Sequence, residues 1–99
     1  MEDMNIYEGK KAYIDRYLSP AVNQTEADVA YLTYEWEIRP GSRTASLEIV
    51  TVHYYSGNTD RINVTANSLV AILHEVIREI DGHRAHGHIY TEDVEDENR

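Results

Sequence analysis

An α+β fold with element order αβββα is predicted by three observations: one run of strict alternation, helical apolar spacing at both ends of the chain, and a length of ninety-nine residues. That length encloses one core and leaves no room for a second, so residues 1–90 read as a single domain and residues 91–99 as a disordered acidic tail. The expected architecture is a three-stranded antiparallel meander packed against one or two helices. A three-layer sandwich is excluded by length.

The first helix is expected from Asp3, a capping residue, to about Leu18. In it Ile6, Tyr7, Tyr13, Ile14, Tyr17 and Leu18 recur at helical spacing, and Lys10, Lys11, Asp15 and Arg16 take the other side. Ser19-Pro20 is expected to stop it, because the residue before proline avoids the helical region. The polar stretch SPAVNQTEAD then reads as a connecting loop.

Residues 29–38, VAYLTYEWEI, alternate: Ala30, Leu32, Tyr34, Trp36 and Ile38 fall on one face, and Tyr31, Thr33, Glu35 and Glu37 on the other. RPGSR makes a turn. A second strand over about 44–55 is apolar on both sides, Leu47, Ile49 and Thr51 opposing Val50, Val52 and Tyr54, which suits the middle of a sheet. SGNTD forms the next turn, with Gly57 and Asn58 able to take positive φ, and RINVT gives a short third strand with Ile62 and Val64 inward. The last helix is capped by Asn67, carries Leu69, Ile72, Leu73, Val76, Ile77 and Ile80 as an apolar stripe, and is expected to end at Asp81-Gly82.

Charge is the strongest compositional feature. Eighteen acids oppose nine bases for a net charge of −9, and thirteen acids against eight bases remain when residues 91–99 are set aside. The bases are scattered apart from Lys10 and Lys11, so direct binding of nucleic acid or an anionic membrane is disfavoured, and a basic protein surface is the natural complement. Cysteine is absent, which excludes disulfides, thiolate zinc sites and a cysteine nucleophile. No signal-peptide pattern and no apolar run approaching the roughly 20 residues of a membrane span is present, so a cytoplasmic location is expected.

The sequence carries little catalytic chemistry. His74-Glu75 sits on the last helix, but position 78, where a zinc protease helix places its second histidine, is Arg. His83, His86 and His88, with His74 or Asp81, could chelate a divalent ion, but the polar, glycine-containing stretch does nothing to pre-order them, and they read as solvated residues beyond a helix end. Glu35 and Glu37 lie about 7 Å apart on one strand face, a spacing used in acid–base pairs, without a nucleophile or flanking site. No phosphate loop, nucleophile elbow or dinucleotide fingerprint occurs. The reading is a non-enzyme with no cofactor. Its candidate binding residues are Tyr31, Glu35, Glu37 and Asp60 on the body, with Asp28 and Glu48 able to flank them, Glu48 falling on either the open or the buried side according to register, and Glu92, Asp93, Glu95, Asp96 and Glu97 in the tail.

A small, cysteine-free acidic chain of helix, meander and helix, closing in DRINVTANSLVAILHEVIREI and an acidic tail, resembles the short inhibitor proteins of bacteriophages and mobile elements, among them the acidic anti-CRISPR proteins that mimic DNA. The resemblance implies a basic partner such as a Cas nuclease, met in a bacterial host cell, with carboxylates placed where phosphates normally sit. It covers the architecture of most of the chain and carries over no residue. The alternatives are an oligomeric accessory or structural protein whose apolar and tyrosine surfaces meet a second copy, and a histidine-rich metal binder.

Overall fold

The computed structural model describes residues 6–93, with side chains described for residues 6–83. The chain forms helix α1 (Ile6–Tyr13), a π-helical turn (Ile14–Leu18), helix α2 (Ser19–Thr25), strands β1 (Val29–Glu37), β2 (Leu47–Tyr54) and β3 (Thr59–Asn63), and helix α3 (Leu69–Asp93). The fold is α+β, with a three-stranded antiparallel sheet of order β1-β2-β3. Both helical segments lie on one face of it, and among the described residues nothing covers the other face.

The first helix does not stop at Pro20. Proline has no N–H, and its ring would strike the carbonyl four residues earlier in an α-helix. The π-helical turn relieves both conflicts. The Ser19 N–H donates to the Ile14 carbonyl, five residues back, and the widened turn accommodates the pyrrolidine as the helix continues to Thr25. Most of the expected loop is therefore helix. The extra residue in the turn also keeps Tyr7, Ile14, Leu18 and Val22 all facing the sheet, while Ile6, Tyr13 and Tyr17 point outward.

This helix guards one sheet edge. The Leu32 N–H donates to Ser19 Oγ at 2.9 Å, and Asn23 Nδ2 donates to the Val29 and Ala30 carbonyls at 3.0 Å each. Edge groups that could pair with another chain are thus occupied. A bulge between Val29 and Tyr31 turns the start of β1 so that Val29 is buried along with Leu32.

Strand β2 is central, as its two apolar faces predict, though shorter than 44–55, and β3 covers 59–63 in place of 61–65. At the β2–β3 turn only Gly57 takes positive φ, at 98°, and Asn58 does not. Ile72, Val76 and Ile80 of α3 close the core with Val50, Val52, Ile62 and Val64. Each such buried aliphatic side chain contributes about 1.5–3 kcal/mol. Ser68, not Asn67, caps α3, its Oγ accepting the Ala71 N–H. Helix α3 also passes through Gly82, where a glycine costs about 1 kcal/mol, and the docking of His83 on the sheet offsets this. The expected tail boundary at residue 90 falls inside α3, and residues 94–99 lie outside the described residues.

One polar network crosses the apolar layer. Glu48 is 1 % exposed; its Oε1 accepts from Lys10 Nζ at 2.8 Å and from the Tyr34 hydroxyl at 2.6 Å, and its Oε2 accepts from the Ala66 N–H at 2.8 Å. Lys10, expected on the solvent side of its helix, keeps only 12 % of its side chain exposed and also donates to the Asn67 carbonyl at 2.8 Å. Burial alone would raise the Glu48 carboxyl, but the hydrogen bonds from Lys10, Tyr34 and Ala66 outweigh it and hold the group below its ordinary value. Burial, followed by the bond to Glu48, pushes the Tyr34 phenol upward.

Removing one member of a buried pair strands the other charge, so Lys10→Met should cost about 3–5 kcal/mol in denaturant unfolding. A loss under about 1 kcal/mol would contradict this account. Because the folded Glu48 value is depressed, its contribution is complete above the unfolded value of about 4.3 and fades as pH falls through the folded one. Melting curves of Glu48→Gln should lack that acid-side component.

Candidate functional site

Strand parity divides the sheet's side chains. Leu32, Tyr34, Val50, Val52, Tyr54 and Ile62 face the helices, and the residues between them form the open face. Register sets that face out in rows: Tyr31 beside His53 and Thr59, Thr33 beside Thr51 and Arg61, Glu35 beside Ile49 and Asn63, and Glu37 beside Leu47. The Tyr31 ring stacks on the His53 ring at 4.3 Å, and His53 Nε2 lies 2.9 Å from Thr33 Oγ1. Stacking and hydrogen bond hold the aromatic end of the face rigid.

The other end is acidic over an aliphatic floor. Glu35, Glu37, Leu47, Ile49, Arg61 and Trp36 line a shallow depression of about 280 Å³. Ile49 is buried there although no described helix covers this side, because the longer side chains around it shield it. Arg61 Nη2 approaches Glu35 Oε2 only to 4.0 Å, with both side chains well exposed. Such a pair contributes little, and an incoming cation can replace it at small cost.

The structure thus brings Tyr31, Glu35 and Glu37 together on the exposed face of one strand. It does not bring Asp60 to them. Asp60 lies on the helix side, opposite Val52, where its Oδ2 accepts from the Tyr54 hydroxyl at 2.9 Å and pairs with His83 Nδ1 at 3.1 Å. The His83 ring stacks on Tyr54 at 4.0 Å. Burial first, and then Asp60 as hydrogen-bond acceptor and the Asp60, Asp28 and Glu79 charges, push the Tyr54 phenol upward, so it remains a donor. This cluster fastens α3 to the end of the sheet. Glu48, likewise, belongs to the core and not to the binding face.

His83 is accordingly not a solvated residue past a helix end. Among the described residues no group of three or more histidine or carboxylate side chains is placed to hold a metal ion. The side chains of His86, His88, Glu92 and Asp93 lie outside the described ones, as do residues Glu95, Asp96 and Glu97 altogether. Among the described residues no helix is long and apolar enough to cross a membrane.

Residues that the sequence reading left out of the site are His53, Arg61, Ile49 and Tyr55. The first three share the odd parity of Tyr31 and Glu35, a signal present in the chain. Tyr55, 68 % exposed, follows β2 and accepts a hydrogen bond from Asn23 Nδ2 at 2.9 Å. No family model matches the chain, and no characterised protein or solved structure shows significant similarity to it.

The two kinds of carboxylate should separate in stability measurements. Asp60→Ala removes the acceptor of Tyr54 and the partner of His83 and should cost about 1–3 kcal/mol. Glu35→Gln with Glu37→Gln, both exposed, should change unfolding by no more than about 0.5 kcal/mol. Equal effects would refute the division of faces.

Proposed function

We propose that the protein is a small, acidic, non-enzymatic inhibitor whose open sheet face binds a basic surface of a nucleic-acid-binding protein, as a DNA-mimicking anti-CRISPR protein binds a Cas nuclease. The observation that carries this reading is the row of Tyr31, Glu35 and Glu37 on the sheet face that no described helix covers, in a chain of net charge −9. Tyrosine supplies rigid contact area, and carboxylates accept charge-assisted bonds from Arg and Lys. The depression over Leu47 and Ile49 suits the aliphatic stem of such a side chain, with Glu35 and Glu37 at its head. Because the strand is already ordered by its neighbours, little conformational entropy is lost on binding.

The mechanism is steric and electrostatic. A channel or groove that receives phosphates would receive these carboxylates instead, and nucleic acid would be excluded without any reaction. The tail acids Glu92, Asp93, Glu95, Asp96 and Glu97 add long-range attraction that speeds encounter.

The test is a salt-titrated capture from bacterial lysate on the immobilised full chain, followed by elution with duplex DNA. The expected outcome is a nucleic-acid-binding protein that DNA displaces, whose affinity falls with salt and weakens about tenfold or more for the chain carrying Glu35→Gln and Glu37→Gln. A partner indifferent to salt, to DNA or to that double change would refute mimicry by this face.

A further inference from the structure

The two helices run in the same direction across the sheet, Lys10 reaching the start of α3 at Asn67 and the end of α2 lying beside Ile80 and Asp81. Their outer surface is covered by no other described element. Between them runs an open, apolar groove of about 160 Å³, walled by Leu18, Ala21 and Val22 on one side and by Leu73, Ile77 and Ile80 on the other. Tyr13 and Tyr17, 45 % and 61 % exposed and packed ring to ring at 5.4 Å, precede Ala21 of the groove at four-residue helical spacing, and Val70 at 64 % and Ile77 at 47 % are exposed on α3. Large apolar side chains gathered in one strip on a charged molecule mark an interaction surface. We infer that this helix face is the interface of a homodimer, in which two copies pack their helix pairs antiparallel about a two-fold axis near Ile77.

Charge selects a second copy in that orientation. On α3 the outward stripe is Val70, His74, Ile77 and Asp81, one helical face. Glu26 and Asp81 stand at the C-terminal end of the groove. Parallel packing of two copies would set these carboxylates against one another. The antiparallel arrangement sets His74 of one copy beside Asp81 of the other and opposes the helix dipoles. It also lays each Ile77 over the other copy's groove, the self-complementary contact that a two-fold axis requires.

The area is of the right order. The helical stretch 6–25 is about 30 Å long and two packed helices span about 20 Å, giving about 600 Å² in plan, close to the roughly 800 Å² per partner of a stable interface. The copies repel at long range through their net charge, so self-association should strengthen as salt rises, opposite in sign to binding at the sheet face.

Sedimentation equilibrium of the full chain at low and high salt tests the assignment. A dimer that tightens with salt is expected. Val70→Glu and Tyr17→Glu, both at exposed positions and checked for retained fold by circular dichroism, should each raise the dissociation constant about a hundredfold. His74→Glu should weaken the dimer as well, by facing Asp81, while Glu35→Gln with Glu37→Gln should leave it unchanged. A monomer at every concentration, or a dimer indifferent to both Val70→Glu and Tyr17→Glu, would overturn the inference.

Discussion

The fold is organised around the buried carboxylate of Glu48. Glu48 sits under the helix layer with no access to water, and its two oxygens take hydrogen bonds from three segments distant in sequence: Lys10 in the first helix, Tyr34 in β1 and the Ala66 N–H in the link to α3. A buried charge short of donors costs several kcal/mol, so packings that lose any of the three are penalised heavily. The network therefore specifies as much as it stabilises. It draws Ala66 to a φ of 67°, a left-handed conformation that costs a non-glycine residue about 1–2 kcal/mol and that the charged hydrogen bond offsets. Lys10 holds the other side in place by also binding the Asn67 carbonyl, which fixes where α3 begins.

Because this lock holds both helices to one side, the other side of the sheet is left uncovered among the described residues. The acids then fall into two populations with different tasks. Glu48 and Asp60 are spent within the fold, one on the helix layer and one on the Tyr54 and His83 cluster. Glu35 and Glu37 are not. They stand on a strand whose outer edge is occupied by Ser19 and Asn23, so the surface left open there is the face of the sheet and not the β1 edge beside those residues. Recognition through side chains on a rigid face is the mode this favours over strand addition there.

The sequence made the sheet legible because period-two alternation survives tertiary packing. β1 and the double-sided β2 declare their places directly, and the parity that puts Ile62 and Val50 inward also puts Asp60 and Glu48 inward. That signal is present for both acids: charge alone puts Asp60 on the surface and leaves Glu48 open between the two sides, and parity is the better guide. The helix ends were less legible. Proline and glycine usually punctuate, but at Pro20 a π-helical turn removes the conflict, and at Gly82 the packing of His83 against Tyr54 sustains the helix. Both exceptions depend on contacts remote in sequence. Lys10 was hidden for the same reason, since a lysine enters a core only when a partner such as Glu48, thirty-eight residues away, receives it.

The two surfaces lie on opposite sides of a two-layer molecule, and this gives the proposed dimer a functional consequence. Packing through the helices leaves each copy's sheet facing outward, so one dimer would present two acidic faces pointing away from each other. Two such faces cannot engage one flat site, but they can hold two copies of a partner, or two stretches of one long basic groove that bends around them. In the second case the linked faces raise each other's effective concentration, and avidity exceeds the affinity of either face without any new contact. Salt then acts on the two equilibria in opposite directions, weakening each face while tightening the link between copies. Inhibition by a dimer would therefore fall off with salt less steeply than binding by a single face does.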